Sequence, residues 1–298
     1  MKRQYWFWLV LVQVIWAGSY IAMKIAVEVM PVGAVVFLRY GSASLGFLVL
    51  WLWRGWPRLQ RRDWLWIIGL GVGNFALSPM LQTLGVSYTQ AADASVLIAF
   101  EPILTVLVAT LALRERPTRR TLLALVTATV GLMVLSGVAG DPDDNVRRLR
   151  LLGNLLFLSS LVFESAISVS GRALTPRYRA DHLSGSMMVA GFLVGGLFNS
   201  ATLSRMDFSA IPFSAWGAVL YLGLACSVLG YIIWFRILRE VPVNQVALSL
   251  FIQPIAGTIL GATILNEIIN GRMLIGALII CVSLIWWQVR EMSLVTAV

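Results

Sequence analysis

The run AADASVLIAFEPILTVLVATLALRERPT, Ala91 to Thr118, is an apolar helix interrupted by one acid, Glu101, set directly before a proline, Pro102. It closes on Arg114-Glu115-Arg116-Pro117. The pattern returns as VNQVALSLFIQPIAGTILGATILNEIIN, Val243 to Asn270. A shift of 152 positions lays Pro102 on Pro254, Glu115 on Glu267 and Arg120 on Arg272 without a gap. In the first copy Asp93, Leu97, Glu101, Thr105 and Ala109 step by four along one helix face. The shift carries them onto Gln245, Ser249, Gln253, Gly257 and Gly261. Each copy therefore sets polar or small residues on one side of an otherwise greasy rod. Inside a bilayer such a side must look at protein or water, never at lipid. Two helices of this kind predict the lining of a central cavity.

The rest of the chain agrees with a membrane setting. Of its 298 residues 59% are apolar and only 12% charged, far from the balance of a soluble domain. About 20 apolar residues cross the hydrocarbon layer as a helix. Ten runs qualify: 5–27, 32–53, 64–88, 91–113, 119–138, 151–173, 183–201, 213–238, 243–265 and 272–290. Gly140 to Arg150 is the longest polar stretch and reads as a loop. The expected organisation is a first five-helix repeat over 1–138, a connection over 139–150, a second repeat over 151–290 and a tail over 291–298. Five spans is an odd number, so the second repeat enters the bilayer upside down. Inverted repeats with broken polar helices at the midplane are the architecture of secondary transporters. Pro79, Pro102 and Pro254 supply the breaks, since each removes a backbone donor.

A net charge of +9 does not point to nucleic acid, because the basic residues sit in the connections. With the N-terminus inside, that side holds Lys2, Arg3, Arg54, Arg58, Arg61, Arg62, Arg114, Arg116, Arg119, Arg120, Arg172, Arg177, Arg179, Arg236, Arg239 and Arg290. The other side holds Arg147, Arg148, Arg150, Arg205 and Arg272. Such a bias marks the cytoplasmic face, and ten spans return the C-terminus to it. Trp6, Trp8, Trp51, Trp53, Trp56, Trp64, Trp66, Trp286 and Trp287 fall at the same helix ends as an interfacial belt, and Trp234 is read with them. Lys2-Arg3 before an apolar run resembles a signal peptide, but the run is too long and too rich in tryptophan, so it is read as a retained first span. Cys226 and Cys281 lie within spans as buried thiols.

Several side chains are candidates for the cavity. Gln13, Trp16, Tyr20 and Lys24 share a face of the first span. Trp16 either packs against a neighbouring helix or walls the cavity, and Lys24 is expected to snorkel outward. Arg39 lies within the second span, where a guanidinium must be paired or wet. It either pairs with an acid such as Glu101 or reaches water. Asn74, Ser78 and Gln82 step by four along the third span. Glu101 lies near the midplane, where it can bind an amine, carry a proton or hold Arg39. Phe163 and Glu164 in the sixth span, Tyr231 in the eighth, and Ser249 and Gln253 in the ninth complete the set.

Ile15-Trp16-Ala17-Gly18-Ser19 with Lys24 and Arg39, then Glu101-Pro102-Ile103 followed by Glu115, resemble the EamA-type drug/metabolite transporter family. Gln253-Pro254-Ile255 with Glu267 repeats the second signature. The resemblance runs over the whole chain, and the proline-to-glutamate spacing is its most specific part. It implies ten helices in two inverted repeats, a bacterial inner membrane and export of small metabolites. Within the family, the chain is most similar to exporters of aromatic and other amino acids.

Rings at Trp16, Tyr20, Phe163 and Tyr231 among small polar groups suit a zwitterion with an apolar side chain. Export of other metabolites or of lipophilic cations is the alternative, which an acid at the midplane would serve. An enzyme is not expected: the chain has one histidine, no H-E-x-x-H and no phosphate-binding glycine loop. No cofactor or metal is implied. The expected partners are amino-acid substrate and the lipid bilayer, with a monomer sufficient for activity.

Overall fold

The computed structural model describes residues 3–101, 103–104, 107–108, 119–135, 144–203, 206–241, 246 and 248–295. Pro102, Thr105, Ala109, Glu115 and Gln245 lie outside these residues. Ten helical segments account for the fold, with no strand among the described residues. They are α1 (Arg3–Val27), α2 (Val32–Arg54), α3 (Arg61–Tyr88), α4 (Ala91–Phe100 and onward), α5 (Arg119–Leu135), α6 (Asp144–Leu174), α7 (Ala180–Leu203), α8 (Phe213–Glu240), α9 (Leu248–Phe251 and Ile252–Ile264) and α10 (Gly271–Val295). Within α1, α2, α3, α6 and α8 lie stretches long and apolar enough to cross a membrane.

The polar run before the sixth span is shorter than its composition suggests. Asp144 to Arg150 forms the first two turns of α6 instead of a loop. Arg150 is held there by Asp93 of α4, through 2.6 and 2.8 Å bonds. A charged sequence stays helical because a neighbouring helix supplies its counter-ion.

The two halves interlock. α3 packs on α6 as α8 packs on α1, α3 packs on α7 as α8 packs on α2, and α4·α9 and α5·α10 pair with each other. Each of these contacts maps onto another, or onto itself, when five helices are added. Between transmembrane helices close approach depends on small residues, and here it is built from glycines. A Cβ on Gly153 of α6 would stand 2.6 Å from the Gly85 carbonyl of α3, and one on Gly85 would stand 2.7 Å from the Gly153 carbonyl. Gly153→Leu must therefore force the halves apart. We expect it to abolish monodisperse protein in size-exclusion chromatography, whereas Gly69→Leu, with nothing within 4 Å of its Cβ position, should behave as the parent.

The tryptophans divide. Trp6, Trp8, Trp53, Trp56, Trp64, Trp66 and Trp286 are exposed on the helix surface, as a belt requires. Trp51 and Trp287 are buried instead, and Trp51 donates to the Asp181 carbonyl at 3.3 Å. At the same end Asp63 accepts from Arg177 (2.8 Å) and Tyr178 (2.6 Å), tying the start of α3 to the α6–α7 connection. Burial and this carboxylate push the Tyr178 hydroxyl above its ordinary range.

Candidate functional site

A chamber lies between the halves, walled by α1 to α4 on one side and α6, α8 and α9 on the other. Trp16, Ser19, Tyr20, Arg39, Gln82, Ile98, Glu101, Glu164, Ile167, Tyr231, Trp234 and Gln253 line it. Its open volume is about 50 Å³, room for a few water molecules and too little for an amino acid.

Arg39 is the most informative of these side chains. It is 6% exposed. Its Nε donates to Ser227 at 3.2 Å, its Nη1 meets the Met23 sulfur at 3.9 Å, and its guanidinium lies 5.0 Å from the Tyr40 ring centroid. Nη2 has no acceptor, and Arg39 forms no ion pair, among the described residues. Glu101, the acid expected as its partner, lines the same chamber. The counter-charge of Arg39 is Glu164, which faces the same chamber and acts on it across the space without a direct ion pair.

Glu164 of α6 faces the same space. Gln82 donates to its Oε1 at 2.7 Å, and Ser78 approaches the same atom at 3.5 Å. Oε2 has no donor among the described residues. One wall therefore presents a guanidinium and another a carboxylate, opposite charges across one space, with Glu101 as a second acid.

Other expected residues have different places. Ser78 stands behind Glu164 and does not reach the chamber. Ser249 is buried in a relay: Gln13 donates to it at 2.8 Å, Gln253 donates to Gln13, and Tyr20 donates to Gln253 at 2.7 Å. The relay locks α1 to α9 and leaves Tyr20 and Gln253 at the chamber wall. Phe163 packs over Gly73 of α3 instead of joining the rings. Trp234, assigned above to the belt, is 7% exposed and packs against Trp16 at a tilt of 57°, with centroids 5.2 Å apart. Tyr231 meets Trp16 at 5.5 Å. Trp16 both packs and walls the chamber. Lys24 does not snorkel; its ammonium caps the carbonyls of Val86 and Thr89 at the end of α3.

The breaks take definite forms. Gly73–Leu77, just before Pro79, is π-helical, as a proline that removes a backbone bond can cause. The second copy repeats this without a proline: Tyr221–Leu229 is π-helical, and the 152-residue shift carries Leu77 onto Leu229. Inside this segment Ser227 donates to the Leu222 carbonyl at 2.8 Å, presenting its hydroxyl to Arg39, and the Cys226 carbonyl accepts from Trp16 at 3.0 Å. Asn74 of the first π segment donates to Tyr231 at 3.2 Å. Ahead of Glu101 and Gln253 the backbone tightens into 3-10 turns, Ile98–Phe100 and Leu248–Phe251.

The small-residue stripe of the ninth span splits in function. Gln253 faces the chamber, whereas Gly257 and Gly261 approach Ser95 and Ala92 of α4 and form the α4·α9 contact. Beyond it a buried polar cluster joins α4 to α6. Asp93, fully buried, takes both Arg150 bonds and accepts from Thr89 at 2.9 Å, and Thr89 also contacts Asn154 at 2.7 Å. Glu267 accepts from the amides of Ala91 and Ala92 at 2.8 and 3.0 Å, where an anion complements the helix N-terminus. The glutamate after the second proline is thus a cap that fastens one half to the other.

Comparison with known proteins places this geometry. The model of the EamA-like transporter family matches twice, over residues 4–137 and 151–287. An uncharacterized transporter of Bacillus subtilis (strain 168), YetK, is 27% identical over 84% of this chain and 76% of its own. A protein named as a probable terminal-alkyne amino-acid exporter, from Streptantibioticus cattleyicolor, is 24% identical over 90% of this chain and 88% of its own. A solved crystal structure at 17% identity has a TM-score of 0.65 and covers 95% of this chain and 96% of its own. It has the same fold.

Proposed function

Because the chain belongs to the EamA-like transporter family, it is a multi-pass membrane transporter and not an enzyme, and we propose that it exports zwitterionic amino acids with apolar or aromatic side chains. The observation that carries this reading is that Arg39 and Glu164 face one chamber as opposite charges without a direct ion pair between them. A buried charge held off from its counter-ion is incompletely compensated, so the two ends of a zwitterion can complete both. Arg39 receives the α-carboxylate, for which a guanidinium offers two parallel donors. Glu164 receives the ammonium, with Glu101 as the second acid and a candidate proton carrier. The rings of Trp16, Tyr20, Tyr231 and Trp234 enclose the side chain, while Gln82 and Gln253 orient polar atoms. The name of the amino-acid exporter among the relatives supports the same substrate class.

Residues 1–138 and 151–290 act as two inverted repeats that rock about the chamber, the general scheme for such folds. Bending is expected next to Pro79, where the backbone is π-helical, and at the 3-10 turn before Pro254; Pro102, from the sequence, is the third gating proline. The arginine excess puts both termini in the cytoplasm of a cell whose inner membrane holds the chain, and a single chain supplies every wall, so a monomer suffices.

Efflux of labelled phenylalanine from proteoliposomes tests the proposal. Unlabelled leucine and tyrosine should compete, and a lipophilic cationic dye should not, because Arg39 repels it. Competition by the dye alone would favour cation export and overturn the zwitterion reading.

A further inference from the structure

Away from the chamber, at the end of the bundle that holds the N-terminus, α1, α2 and α8 leave a groove of about 710 Å³ between them. Its walls are built by one pattern used twice. On α2, Gly46, Leu50 and Arg54 follow at steps of four; on α8, Val228, Ile232 and Arg236 do the same. Steps of four keep each triplet on one helix face, so both helices offer an apolar track of roughly 12 Å ending in an arginine. Arg54, Arg236 and Arg239 also line the adjoining cavity of about 200 Å³ under the α6–α7 connection. The three guanidinium groups therefore gather where the two spaces meet.

These arginines have no ion pair among the described residues. The carboxylate in the groove, Glu240, accepts from Tyr5 at 3.2 Å and comes within 4.0 Å of none of them. Arg177 and Arg179 nearby are each matched by an aspartate, so the excess belongs to Arg54, Arg236 and Arg239. The apolar floor also excludes a small soluble anion as the fitting occupant, since such an ion leaves Leu50 and Ile232 against water.

We propose that this groove binds an anionic phospholipid, its phosphate held by Arg54 and Arg236 with Arg239 beside them, and one acyl chain laid along the two tracks. Guanidinium matches phosphate by paired donors, and basic pockets between transmembrane helices suit acidic headgroups. The site is separate from the substrate chamber and does not depend on what is transported.

Native mass spectrometry of the purified protein with added palmitoyl-oleoyl phosphatidylglycerol, palmitoyl-oleoyl phosphatidylcholine or glycerol phosphate tests it. The parent should retain the phosphatidylglycerol roughly tenfold better than the phosphatidylcholine and should not retain glycerol phosphate. Arg54→Gln with Arg236→Gln should remove the preference, and Arg272→Gln, an exposed arginine at the opposite end, should not. Leu50→Trp, which fills the track and keeps every arginine, should lower retention of both lipids and serves if the double variant fails to fold. Equal retention of the two lipids by the parent would overturn the proposal. So would an unchanged preference in the variants, and retention of glycerol phosphate comparable to lipid would reassign the site to a free anion.

Discussion

Arg39→Gln is expected to lower phenylalanine transport by roughly 30-fold or more, the scale of a lost contact to a buried charge, while the purified protein unfolds at the same or a higher temperature. The two effects diverge for one physical reason. The guanidinium is 6% exposed and directly meets a hydroxyl, a thioether and an aromatic ring, with Glu164 acting on it only across the chamber. Its desolvation is a cost to the fold, which glutamine removes. For a cargo carboxylate the same residue is the counter-charge. Arg39→Lys keeps the charge without the paired donors and should fall between parent and glutamine variant. A purely structural arginine predicts the reverse: Arg39→Gln would lower the unfolding temperature, and transport would fall only in step with the amount of folded protein. Proteoliposome flux and thermal unfolding on one preparation separate the two.

The second large effect is expected at Asp93. Asp93 is fully buried and Arg150 partly buried, its side chain 13% exposed, and two bonds of 2.6 and 2.8 Å join them. Asp93→Asn leaves Arg150 facing a neutral group in a buried place, which costs about 3–5 kcal/mol. Opening toward water on that side relieves the penalty, so the conformational balance should shift by a factor of a hundred or more. The measurement is alkylation of a cysteine placed at Ile98 in the chamber, in a background with Cys226 and Cys281 replaced by serine. A membrane-impermeant thiol reagent added on the Arg150 side should label the Asp93→Asn protein at least tenfold faster than the Asp93 parent. Equal rates would mean that the Asp93–Arg150 pair is not part of the closure.

The architecture was readable because bilayer physics acts on every residue of a span. Apolar runs, the arginine bias and the repeated proline each report a constraint the lipid imposes, and ten helices follow. Glu101 and Gln253, Trp16 and Tyr231 reach the chamber because a polar or aromatic residue at mid-depth has few other places to go. Spacing could not show which of two faces a helix turns inward. Ser249 and Gly257 lie on the same stripe as Gln253, yet one is buried in a relay and the other packs on Ser95. Trp234 read as a belt residue because its depth resembles theirs; only its tilted contact with Trp16 draws it inside. The π-helical stretch of α8 carries no proline, so nothing in its composition announced it. Pairs such as Arg150 with Asp93, or Glu267 with the start of α4, join residues far apart in the chain, and their proximity is a product of the fold.

The central claim is that the chamber recognises both ends of a zwitterion at once, and one comparison tests it most directly. Flux of phenylalanine, phenethylamine and phenylpropanoate, which share one ring and differ in the charged groups they carry, is measured in the same proteoliposomes. The account predicts rapid flux of phenylalanine, with both singly charged analogues slower by roughly tenfold or more, since each leaves Arg39 or Glu164 unmatched. Phenethylamine moving as fast as phenylalanine would contradict it.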